Sequence, residues 1–326
     1  MSINDNSRFF KHLEDLTLSR RSFIKGMSAL SVCAFTCSTL GWKDAFAVPF
    51  YNPSLSFKDG LNLPFGISLD SRGNIYVSDP ANYQLRVFDN DGLYRYSFGK
   101  PGKDEGNFNY PKGIAVNNKD HIFVVDSNNG RIQIFDHEGS FIYSFGNIGA
   151  GAGFFYTPQG IAIDREEKIY VADTRNHRVQ VFKDNMPCMV IGKLGDKDDE
   201  FRLPTDIAVK QDGTIFVADS KHSMIKSFDK EGKLVGIFGR QGGKEGELNI
   251  PQGIVLDEKE DLYISDTGNH RIQKFTSDGD FISVYGKKGK ELGEFNQPSS
   301  ICMDDKNRLY VVDTLNRRFQ VLEVES

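Results

Sequence analysis

The sequence predicts an all-β fold, a six-bladed β-propeller of four-stranded antiparallel blades. Three observations carry that prediction. A motif recurs every 46 or 47 residues through everything after residue 47. Each copy holds short β-rich runs separated by turn residues. No segment shows a sustained apolar stripe of helical period.

Composition agrees. Of 326 residues, 39% are hydrophobic and 26% charged, which suits a globular protein and excludes a mainly disordered one. The chain holds 32 Gly, 26 Phe and 12 Tyr but one Trp, the mix expected of many turns between many strands. The formal charge is −5 with no long basic run, which argues against nucleic acid and anionic membrane partners. Four Cys are too few for a disulfide scaffold.

Residues 1–47 differ from the rest. Ser19-Arg20-Arg21-Ser22-Phe23-Ile24-Lys25 precedes 17 uncharged residues, Gly26 to Trp42, and then Ala45-Phe46-Ala47. The small residues at 45 and 47 suit signal-peptidase cleavage. The uncharged run is short of the ~20 apolar residues a spanning helix needs, so it reads as an export signal without stable membrane insertion after cleavage. The heptad resembles the twin-arginine consensus. That resemblance implies export of a folded chain to a periplasmic or secreted location. Removing this segment takes away six basic and four acidic residues and leaves a charge of −7.

Residues 48–326 form one repeating domain. A Pro opens each unit at 64, 111, 158, 204, 251 and 298. These units are blades one to six. An Asp ends the second β-rich run at 79, 126, 173, 219, 266 and 313. A Gly closes units at 99, 146, 192, 239 and 286, and 11 residues connect each to the next Pro. Blade three is one residue short near Asp184-Asn185-Met186-Pro187.

Within blade three, Gly160 to Asp164 is an apolar run and Arg165-Glu166-Glu167 a turn. Ile169 to Ala172 is β-branched and aromatic, Thr174 to His177 a second turn, and Arg178 to Phe182 alternates polar and apolar. Phe141 to Phe145 shows the fourth strand in blade two. One such sheet cannot cover both its faces, so copies stack radially and close into a ring. The last blade stops after its third strand, Phe319 to Val324, and a spare strand-like piece, Pro53 to Phe57, precedes blade one. Residues near Ser54–Phe57 are expected to complete the last blade.

Pro-x-Gly-Ile-Ala, Ile-Tyr-Val-Ala-Asp-Thr and Asn-His-Arg-Val-Gln-Val-Phe together resemble the NHL repeat. Asn176-His177-Arg178 and Asn269-His270-Arg271 carry the signature closely. The resemblance covers residues 48–326. It implies that one face, the top, gathers the interblade connections and the loops after the repeated Asp. It also implies that the residues after each Pro line the channel mouth there: Phe65, Lys112, Gln159, Thr205, Gln252 and Ser299. A lyase of this wider group binds metal through His at those positions, and none of the six is His here.

Further candidates break the repeat on the top face. Asp206 replaces Gly, and Met224 and Gln84 replace the repeat Arg. Tyr83 and His222 stand in the turns of blades one and four. Asp206, His177, His222 and His270 are the metal candidates, for Zn²⁺ or Ca²⁺. No organic cofactor is expected, because the chain lacks haem, dinucleotide and phosphate-loop motifs. The repeated Asp are too regular for an asymmetric active site and are expected to accept bonds from turn amides two residues on. The repeat's near-constant length leaves no lid. The expected function is therefore a non-catalytic exported scaffold that presents one propeller face to a protein partner, such as a periplasmic redox or respiratory assembly. The other reading is a metal-dependent hydrolase or lyase at the channel mouth.

Overall fold

The computed structural model describes residues 52–324. The segment read as an export signal, residues 1–47, lies outside the described residues. The chain folds as six four-stranded antiparallel sheets. In each blade the first strand touches the first strands of both neighbouring blades, and this continues from blade six to blade one. The ring is closed.

Closure uses the expected strand. Asn52–Phe57 pairs antiparallel with Arg318–Glu323, so blade six runs Asn52–Phe57, Arg318–Glu323, Arg308–Asp313, Pro298–Met303 from the rim to the axis. The Phe57 ring stacks on Phe319 at 4.9 Å. A second closure lies at the axis. Ser300 N donates to Phe65 O at 3.2 Å, and the Ser299 hydroxyl donates to the same oxygen at 2.8 Å.

The core is distributed as six hydrophobic clusters, one between each pair of blades. Five carry a fully buried side chain from the interblade connection: Phe108, Phe155, Phe201, Leu248 and Phe295. These residues explain the closing glycines. A Cβ on Gly99 would lie 2.4 Å from the Phe108 ring, and one on Gly146 would lie 2.5 Å from Phe155. The glycine leaves the space that the next blade's anchor fills.

The missing residue of blade three is a tight hairpin turn. Asp184 and Asn185 both take positive φ, 51° and 62°, between Arg178–Lys183 and Met186–Ile191. Two such residues define the two-residue turn whose twist matches the strands.

Candidate functional site: channel mouth and top face

Each repeated Asp side chain is fully buried. Its partners differ from the expected ones. In the turn after it, no side-chain cap bond forms in blades one, two, three, five and six. Instead the carboxylate reaches back to the interblade connection. Asp173 Oδ1 accepts from Tyr156 N at 2.8 Å. Its Oδ2 accepts from Asn176 (2.8 Å), Arg178 Nε (2.8 Å) and Gln180 (3.0 Å). Blades two, five and six repeat the pattern. These carboxylates bolt the top loops to the sheet. Turn amides two residues on are bonded by other acids, as in Glu166 N to Asp164 at 2.9 Å.

Blades one and four lack the Arg, and the structure shows the compensation. In blade four Met224 stands at the Arg position, and Lys226 brings its ammonium to 3.0 Å from Asp219 Oδ2. Lys226 also donates to Glu200 O. In blade one Gln84 stands at the Arg position and Arg86 follows two residues later. Burial holds Asp79 above the usual carboxylate range, and Arg86 opposes the shift. Residues two apart share one strand face, so the cation has moved along the strand without leaving the carboxylate's side.

The histidines are separate structural groups. His177 Nδ1 accepts from Leu203 N at 3.1 Å, and His270 Nδ1 accepts from Gln297 N at 3.1 Å. Both rings therefore tie their turn to the next connection. Burial lowers both pKa values. His222 bonds Asp219 through Nδ1 (2.6 Å) and Asp196 through Nε2 (3.0 Å). Asp206 joins none of them. No group of three or more His, Cys, Asp or Glu with metal-holding geometry occurs among the described residues.

The predicted mouth residues divide. Thr205 and Ser299 are buried. The Thr205 hydroxyl donates to Pro251 O of the next blade at 3.1 Å, so both side chains serve interblade bonds. Phe65 and Lys112 come together across blades one and two, with Lys112 Nζ 4.6 Å from the Phe65 ring centre. Tyr110 approaches the same ammonium at 5.7 Å. Burial, with help from Arg175, pushes Lys112 down to about 8. Gln159 and Gln252 are half-buried at the equivalent positions. Tyr83, His222 and Met224 sit where the third strand begins, outward of the channel.

Two features escaped the sequence reading. First, Leu63, Tyr110, Thr157, Leu203, Ile250 and Gln297, the residues before the six Pro, all take positive φ between 45° and 64°. A residue before Pro ordinarily stays extended, and β-branched residues such as Thr157 and Ile250 rarely enter this region. The mouth is thus ringed by strained backbone. Second, the connection 147–157 contains no charged residue, while the other four all do. It exposes Ile148 at 56%, Phe154 at 43% and Tyr156 at 46%. Arg175 lies 5.9 Å from the Tyr156 ring. The lack of charge over 11 residues was the available signal.

The channel encloses about 300 Å³ between the first strands of all six blades. Asp206 is the one charged side chain among its described lining residues. A larger hollow of about 530 Å³ opens at the opposite face between blades six, one and two. Three of its acids are engaged, Asp70 with Arg72 and Asn74, Asp304 with Arg308, and Asp120 with Ser71.

A family profile described as a 6-bladed beta-propeller matches residues 117–184, and the NHL repeat profile matches residues 248–275. No curated protein sequence matches the chain. Among solved structures, virginiamycin B lyase from Staphylococcus aureus is similar at 13% identity and TM-score 0.60, covering 85% of this chain and 100% of that one. A gluconolactonase from Xanthomonas campestris shares 14% identity at TM-score 0.61, covering 82% and 88%. An auxiliary nutrient binding protein from Bacteroides thetaiotaomicron shares 16% identity at TM-score 0.60, covering 86% and 75%. At these identities the likeness shows the propeller fold alone.

Proposed function

We propose that this propeller is an exported binding protein that docks a protein partner on the top face of blades two and three. The twin-arginine-like segment supports export to the periplasm or beyond. The observation that carries docking is the uncharged connection 147–157 with Ile148, Phe154 and Tyr156 exposed. Contiguous exposed aromatics are the usual core of a protein interface, and charged residues are depleted there. Arg175 flanks the patch beside Tyr156, so the partner presents an apolar anchor edged by an acidic group. Tyr and Phe beside an Arg match the composition of interface hot spots.

The test is capture from periplasmic extract by the mature chain, repeated with Phe154→Asp and with Val235→Asp on an exposed strand elsewhere. A specific band lost with Phe154→Asp and kept with Val235→Asp supports the reading. Identical capture by all three proteins overturns it.

The metal-dependent hydrolase or lyase reading has Asp206 in its favour, since a lone channel acid is where such chemistry would start. Zn²⁺ takes three or four protein ligands and Ca²⁺ six to eight oxygens. The channel lining supplies one carboxylate.

A further inference from the structure

The six channel positions equivalent to Asp206 are Gly66, Gly113, Gly160, Asp206, Gly253 and Ser300. The glycines have a steric cause. A Cβ on Gly66, Gly113, Gly160 or Gly253 would lie 2.2 to 2.5 Å from the carbonyl oxygen of the following blade's post-Pro residue. Blade four departs from this rule, and it does so with an ionisable group.

The carboxylate is seated by three consecutive blades. Asp206 belongs to the first strand of blade four. Its Oδ2 accepts from Ile254 N of blade five at 3.2 Å. Its Oδ1 lies over Gly160 of blade three, where a Cβ would come within 2.4 Å. No ion pair among the described residues involves Asp206, whereas four of the repeated Asp have an Arg and Asp219 has Lys226. The remaining channel wall is Ile, Val, Ala, Leu and Gly, with Ser68, Ser300 and Cys302. Cys302 is the other titratable group facing the channel, and burial raises its thiol far above the usual range, so it stays neutral.

We propose that the channel binds a small organic ammonium ion, its charged head on Asp206 and its apolar body between the inner strands. An unpaired carboxylate in an apolar hole is costly, and a cation that enters removes the cost. A metal ion would need several more ligands than the wall provides. An ammonium needs one counter-charge and a few acceptors, and its hydrocarbon part suits the rest of the wall. The volume of about 300 Å³ equals the liquid share of roughly ten waters, room for a body of about six to ten heavy atoms. Burial already pushes Asp206 up to about 7, so the free site is half neutral at neutral pH. Binding therefore strengthens as pH rises from 6 to 8, when the carboxylate ionises and the amine remains charged.

This proposal concerns the channel and is independent of the docking face. The experiment is calorimetric titration of the mature protein with cyclohexylamine and with cyclohexanol, which has nearly the same shape and no charge. Cyclohexylamine is expected to bind at least tenfold more tightly than cyclohexanol at pH 8, and about tenfold more tightly at pH 8 than at pH 6. Asp206→Asn abolishes the preference for the amine. The alcohol titration and the pH 6 titration of the parent protein keep the test independent of any variant, and folding of Asp206→Asn is checked by circular dichroism. Equal affinity for the two ligands, unaltered amine binding in Asp206→Asn, or no heat with the parent protein overturns the proposal.

Discussion

Lys226 Nζ lies 3.0 Å from Asp219 Oδ2 and neutralises the kind of carboxylate that four other blades pair with arginine. Both side chains are almost fully buried. Removing the ammonium leaves Asp219 with His222 as its remaining side-chain partner, and breaking a buried pair costs up to about 3 to 5 kcal/mol. Lys226→Met is therefore expected to lower the urea midpoint sharply. Adding Met224→Arg to Lys226→Gln rebuilds the arrangement of the other blades and recovers most of the loss. A double variant no more stable than Lys226→Met would show that the exchange is not compensatory.

Asp206 makes a pH-dependent contribution of known sign. Its folded pKa is raised from 3.8 to about 7, so the folded state holds the proton more tightly than the unfolded one. Stability falls as pH rises from about 4 to 7 and stays low above. Asp206→Asn removes this cost. It should match the parent near pH 4 and exceed it at pH 8 by up to ~4 kcal/mol, since each pKa unit corresponds to about 1.4 kcal/mol. Thermal melts at the two pH values measure it.

His177 and His270 act in the opposite sense. Their folded pKa values are lowered, chiefly by burial. The stability they contribute is present above the unfolded value near 6.5 and is lost as pH falls through the folded values. Protonation also takes the Nδ1 acceptor away from Leu203 N and Gln297 N. Asn tolerates the left-handed backbone of these turns and keeps an acceptor oxygen. The double variant His177→Asn/His270→Asn should lose less stability than the parent between pH 7 and 5, because it has no imidazole to protonate there. Denaturant titrations at both pH values compare the slopes.

Phe57 fastens the closing strand. Its ring stacks on Phe319, and Gly92 leaves the space it occupies, since a Cβ there would come within 2.0 Å of the ring. Phe57 is half-buried, so Phe57→Ala should cost about 1 to 2 kcal/mol, less than the loss of a fully buried ring. Gly92→Ala should destabilise in the same assay, because φ is +76° and the ring must move. Faster proteolysis near residues 52–57 would locate the damage in blade six.

Much of this architecture could be read before the fold was seen, because a period leaves a signature at every copy. The six Pro, the six Asp and the leftover strand before Phe57 led to blades, ring and closure. The unread parts depend on which side of a strand meets which neighbour. Thr205 and Ser299 share a sequence position with Lys112, yet their short hydroxyls turn into interblade bonds while the longer Lys112 reaches the Phe65 ring. Met224 looks like a lost arginine until Lys226 is seen on the same strand face. The closing glycines look like turn residues until the Phe108 ring is found over Gly99. Asp206 was legible as a departure, but that it has no ion-pair partner among the described residues required the positions of the neighbouring side chains.

The ladder between Asn52–Phe57 and Arg318–Glu323 joins the first and last strands of the propeller. During synthesis, blades one to five can assemble as soon as their own residues emerge. Blade six cannot, because its outermost strand is made first and must wait, unpaired, for the final strand. The contact that seals the molecule is thus the one with the longest intervening loop, and long-range pairings form slowly. Closure therefore requires that the final strand has been made. A chain halted before residue 318 keeps an open sheet edge and an uncovered Phe57, the features by which quality-control proteases and aggregating neighbours recognise unfinished β proteins.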